Sequence, residues 1–105
     1  MTEMSLQCRV ANMQQRAKIT CRVTGRVQMV MFRDFSQRKA RKLGLVGFTR
    51  NETDGSVTVV AEGEHALLEK YLAYLRKGSI LSRVDDVEVR WGNATGEYKD
   101  FKITF

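Results

Sequence analysis

At 105 residues the chain is long enough for one hydrophobic core and too short for two. Its hydrophobic content of 43% contains no run of membrane-spanning length, and two cysteines with a single histidine argue against both a disulfide scaffold and a metal-ligand cluster. A formal net charge of +6 admits nucleic acid, an acidic surface or small anionic substrates without choosing among them.

Residues 1–17 show no sustained period and are expected to form a flexible extension. They lack the charged leader and apolar stretch of a secretory signal, so a cytoplasmic location is expected. Ile19, Cys21 and Val23 then alternate with Thr20, Arg22 and Thr24, which predicts a strand over 18–24 ending at Gly25. Cys21 on the apolar face reads as a small core filler. Phe32, Ser36, Ala40 and Leu43 recur at helical spacing, predicting a helix over 33–43 with Asp34 in its first turn, Arg41 and Lys42 in its last, and Gly44 as its stop.

Strands follow over 45–51 and 56–62, joined by Glu52-Thr53-Asp54-Gly55, because Asp-Gly tolerates the positive φ of a tight hairpin. Gly63 closes the second of these. From Glu64, the stripe Leu67, Leu68, Tyr71, Leu72 and Leu75 marks a second helix that stops at Gly78-Ser79. Val84, Val87 and Val89 indicate a fourth strand running to Trp91, residues 92–96 form a loop, and Phe101, Ile103 and Phe105 alternate as a short last strand. The order strand, helix, strand, strand, helix, strand is the split βαβ pattern of an α+β, ferredoxin-like sandwich, with two helices on one face of an antiparallel sheet. One domain over 18–105 is expected.

The segment from Gly25 to Arg33 is a strand-loop-helix junction. Such a loop can aim several backbone N–H groups into one concavity at the positive end of a helix dipole, and Arg33 adds a planar, permanently charged fork. That combination suits a phosphate. Elsewhere, Phe32 and Phe48 read as core residues, Asn51 before a hairpin as an ordinary turn residue, and His65 as a surface residue. Asp34 reads as a first-turn acid, with pairing to Arg33 as the alternative.

Gly25, Val27, Gln28, Val30, Phe32 and Arg33 match the pattern G-x-V-Q-G-V-x-F-R, and here the sequence resembles the acylphosphatase family. The likeness continues through Ala40, Leu43-Gly44, Val46-Gly47-Phe48-Thr49-Arg50-Asn51 and Asp54-Gly55-Ser56-Val57, with weaker echoes in Ser82-Arg83-Val84-Asp85 and the closing Phe101-Lys102-Ile103-Thr104-Phe105. The resemblance implies a ferredoxin-like fold with a short extra C-terminal strand, and hydrolysis of small acyl phosphates without metal or organic cofactor. It implies that the backbone of Arg26, Val27, Gln28, Met29, Val30 and Met31 cradles the phosphoryl group, that Arg33 binds it, and that Asn51 positions the attacking water. The expected partner is a small-molecule acyl phosphate, with no nucleic acid and no membrane, and the expected state is a monomer.

One departure stands inside the motif, where Met29 replaces the usual glycine. A positive φ there would cost methionine about 1–3 kcal/mol, and close approach to substrate would be narrowed by its side chain. A catalytically weakened anion-binding domain is therefore an alternative. A basic nucleic-acid module is a more remote one, since Ser56-Val57-Thr58-Val59-Val60 lacks the aromatic pair of the RNA-binding signature. The first alternative predicts that Met29→Gly sharply raises benzoyl phosphate hydrolysis, whereas an unchanged rate means that the loop works as it stands.

Overall fold

The structure is a computed structural model that describes residues 15–28 and 31–104. Its elements are β1 (Arg16–Arg26), α1 (Phe32–Lys42), β2 (Val46–Asn51), β3 (Val57–Glu64), α2 (His65–Lys77), β4 (Arg83–Asn93) and β5 (Phe101–Thr104). The sheet order is β4-β1-β3-β2-β5, antiparallel except that β5 runs parallel to β2. The ferredoxin-like α+β reading holds, and the extra strand makes the sheet mixed. β1 begins two residues before the expected start: Arg16 and Ala17 pair with Glu64 and Gly63, so these two positions belong to the sheet rather than to the extension. The remainder of that extension, residues 1–14, lies outside the described residues, as does Phe105.

Alternation along the strands builds the core. Ala17, Ile19, Cys21 and Val23 of β1 and Val57, Val59 and Ala61 of β3 are buried on the face that the helices cover. α1 contributes Phe32, Phe35, Ser36 and Ala40, and α2 contributes Leu68, Tyr71, Leu72 and Leu75. The helices are joined where the Tyr71 hydroxyl donates to the Ser36 carbonyl at 2.9 Å, and Tyr71 meets the Phe101 ring edge-on. Cys21 sits in this core as a free thiol, and burial pushes its pKa up to about 12, which leaves it inert at neutral pH.

Phe48 departs from its expected place in the main core. Cross-strand partners share a face, so Thr49 opposite Val59 and Gly47 opposite Ala61 point towards the helices while Phe48, opposite Val60, points away. A side chain at Gly47 would collide with the Val60 carbonyl, so the inward face of β2 stays small. β3 also extends further than expected, through Gly63 to Glu64, because β1 continues to pair with it there.

The helix-free face of the sheet is crossed by residues 94–100, which carry the chain from β4 at one edge to β5 at the other. Glu62, fully buried, holds that crossing: one carboxylate oxygen accepts from the Thr95 N–H at 2.9 Å and the Thr95 hydroxyl at 2.7 Å, the other from the Gly96 N–H at 3.0 Å. Tyr98 packs on Phe48, with ring centroids 6.0 Å apart. Burial by itself would raise the Glu62 carboxyl, but the Thr95 and Gly96 donors and Lys18 outweigh it and hold the group below its ordinary value.

A carboxylate depressed in the folded state stabilises fully above its unfolded pKa, and that contribution is lost as pH falls through the folded value. Glu62→Ala is expected to cost about 2–4 kcal/mol in urea unfolding at pH 7, and the gap from the parent to shrink below about pH 4.3.

Candidate active site

β1, β2 and β5 run in the same direction, so their C-terminal ends meet at one end of the sheet. The loop after β1, Asn51 at the end of β2, and Ile103 and Thr104 at the end of β5 converge there. The strand is turned into its loop by a bulge at Thr24/Gly25 in the ladder with β4. Gly25 has φ 121°, and a Cβ there would collide with the Arg83 carbonyl. Only glycine fits that bend.

Gln28 then ties the loop to the hairpin between β2 and β3. Its Nε2 donates to the Glu52 carbonyl at 2.7 Å and to the Ser56 carbonyl at 2.8 Å. The hairpin is itself ordered by Asp54, which accepts from the Ser56 N–H at 2.9 Å and hydroxyl at 2.6 Å and, on its other oxygen, from Arg22 of β1 at 2.8 Å. Arg22 and the Ser56 donors hold the Asp54 carboxyl well below the usual carboxylate range. Thus the loop at Gln28 and the hairpin that follows Asn51 are tied to one another.

A pocket of about 350 Å³ lies between these parts, lined by Val27, Met31, Phe32, Arg33, Asp34, Asn51 and Ile103. Arg33 stands in the first turn of α1, where N–H groups have no acceptor within the helix, and its Nη1 donates to the Thr104 carbonyl at 3.1 Å. Asn51 Oδ1 is buried with no hydrogen-bond partner among the described residues. An unsatisfied acceptor of this kind costs about 1–3 kcal/mol and asks for a donor. Asp34 serves as a first-turn acid, accepting from Arg38 Nε one helical turn on at 2.9 Å.

Of the residues expected in the cradle, Val27 and Met31 line the pocket and Gln28 braces it from behind. Met29 and Val30 lie outside the described residues. Arg26 stays in the ladder opposite Arg83 and is not among the lining residues. The positive φ considered for Met29 falls outside the described residues; Met31, with φ 61° and ψ 25°, is the single left-handed non-glycine among them. Such a conformation costs about 1–2 kcal/mol, paid where the chain turns into α1. Sequence reasoning missed Ile103 and the Thr104 carbonyl. The alternation of β5 was readable, but not that this strand would run beside β2 and reach the pocket. His65, expected at the surface, is exposed and stacks on Trp91, away from the site, with ring centroids 4.5 Å apart.

Comparison with known proteins gives the chain's family. The acylphosphatase family model matches residues 19–103. An acylphosphatase of Salinibacter ruber is 41% identical over 86 residues, spanning 82% of this chain and 90% of that protein. One of Thermus thermophilus is 48% identical over 79 residues, spanning 75% and 90%. The crystal structure of acylphosphatase from Bacillus subtilis superposes with a TM-score of 0.82 at 34% identity, covering 85% of this chain and 99% of that one. This chain belongs to the acylphosphatase family.

Replacing Gln28 by leucine keeps its bulk and removes both donors. Gln28→Leu is expected to lower stability by about 1–3 kcal/mol in urea unfolding; a loss under about 0.5 kcal/mol, the size of an ordinary surface change, would show that the two bonds do not hold the loop.

Proposed function

We propose that this protein hydrolyses the carboxyl-phosphate bond of small acyl phosphates, with Arg33 and the loop backbone binding the phosphoryl group and Asn51 positioning water. The observation that carries the proposal is the meeting of Arg33, Asn51 and the N-terminus of α1 in one small pocket. A guanidinium matches phosphate bidentately, and the unpaired N–H groups of a helix start favour negative charge. The buried Asn51 Oδ1 supplies an acceptor for a proton of the attacking water.

In the reaction the water oxygen bonds to phosphorus as the bond from phosphorus to the carboxyl oxygen breaks. The electron pair leaves with the carboxylate, and both water hydrogens end on phosphate oxygens, so a dianionic acyl phosphate and water give a carboxylate and a phosphate monoanion. The leaving carboxylate needs no protonation, and the substrate's own phosphate takes the proton. The protein's task is placement and charge stabilisation, which suits a pocket whose described lining holds neither a serine nor a cysteine nor a histidine.

On this reading the chain works as a monomer in the cytoplasm on a small molecule, through the folded unit that follows its N-terminal extension, and nucleic acid is no substrate. In support, the helix-free face of β1 and β3 presents Thr20, Arg22 and Thr58 rather than stacking aromatics. No helix among the described residues is long and apolar enough to cross a membrane.

Arg33→Ala should lower kcat/KM for benzoyl phosphate by about 10³-fold or more and abolish competitive inhibition by inorganic phosphate. Asn51→Ala should lower kcat by about 10²–10³ while the inhibition constant for phosphate stays near the parent's. Both are measured with chelator present. Equal loss of phosphate affinity in the two variants would contradict the division of roles.

A further inference from the structure

Next to the phosphate pocket lies a second groove of about 360 Å³, lined by Phe35, Arg38 and Lys39 on α1 and by Gly78, Ser79, Ile80 and Leu81 after α2. Met31 and Asp34 line both spaces, so the groove continues from the pocket. Its outer wall is a tight turn. The Ser82 N–H donates to the Ser79 carbonyl at 3.1 Å, the Ser82 hydroxyl also donates to that carbonyl at 3.0 Å, and the Ser79 N–H donates to the Ser82 hydroxyl oxygen at 2.7 Å.

At the tip of that turn stand Ile80, wholly exposed, and Leu81, 66% exposed, with Met31 at 68% across the groove. Turn tips ordinarily carry Gly, Asn, Asp or Ser. Here the three most exposed large apolar side chains among the described residues gather around one groove.

We infer that this groove is the subsite for the acyl group, and that Met31, Ile80 and Leu81 make the enzyme prefer acyl phosphates with an extended apolar tail or aromatic ring. The inference rests on the reading of the pocket as an acyl phosphate site. A phosphoryl group seated at Arg33 leaves its acyl substituent to exit past Met31, and the groove is the space Met31 opens onto. Its size is ample, since about 150 Å³ accommodates benzene.

The rim charges favour an apolar occupant over a second anion. Arg38 is engaged by Asp34 at 2.9 Å, and the Lys39 ammonium lies over the Tyr74 ring, 4.4 Å from its centroid. Apart from Arg38, Lys39, Asp34 and Ser79, the larger lining groups are apolar: the Met31 thioether, the Phe35 ring and the turn's two aliphatic side chains.

The test is a series of n-alkanoyl phosphates from acetyl to octanoyl, assayed on the parent and on Ile80→Ser/Leu81→Ser, which changes solvent-exposed positions. In the parent, kcat/KM should rise roughly twofold per methylene, half the free-energy effect of complete burial, and so by about sixtyfold from acetyl to octanoyl. In the double variant the octanoyl-to-acetyl ratio should fall towards one. A flat series in a parent that hydrolyses acetyl phosphate normally overturns the subsite and leaves the proposed hydrolysis standing. A steep series unaltered by the double variant also overturns the assignment to this groove. Failure to hydrolyse any of the series removes both readings.

Discussion

Everything at the candidate site depends on three strands ending at the same end of one sheet. β1 and β2 are parallel because each pairs antiparallel with β3 between them, and β5 is parallel to β2. Right-handed crossovers then put the start of α1 beside the ends of β2 and β5. The Gln28 carboxamide spans the gap that β3 imposes, with two bonds under 3 Å to the hairpin carbonyls. It adds to the Arg22–Asp54 link a second tie between the end of β1 and the hairpin that follows Asn51.

The opposite face of the sheet makes this possible. β5 can lie beside β2 only because residues 94–100 cross from the far edge, and a crossing segment brings polar backbone over a packed surface. Glu62 resolves the conflict by accepting three hydrogen bonds from Thr95 and Gly96, which makes a buried carboxylate tolerable and the crossing definite. Thr104 then offers its carbonyl to Arg33 from the strand so delivered.

The chemistry suggested by the pocket follows from what its walls contain. Among its described lining residues the ionic groups are one arginine and one aspartate, the latter turned to Arg38, and the polar neutral group is Asn51. The buried Asn51 acceptor, without a partner among the described residues, and the left-handed backbone at Met31 both stand at this pocket. Features of this kind gather at functional sites because the surrounding structure, here the braced loop and hairpin, holds them in place.

Much of this was legible along the chain. The 3.6-residue stripes of α1 and α2, the Asp-Gly hairpin and the alternation of β1 predicted the elements and the fold class, because periodicity reports which face is buried whatever the neighbour. Gly25, Val27, Gln28 and Arg33 marked the loop through a motif whose spacing is local. Asn51 was selected only by resemblance, since an asparagine before a hairpin is locally a turn residue. The inward turn of Gly47 and Thr49 rather than Phe48, the clamp made by Glu62, the bridge made by Gln28 and the reach of β5 to Arg33 were decided by tertiary structure. Each depends on which strand lies beside which, and side-chain alternation within a strand carries no information about its neighbour until pairing and register are set.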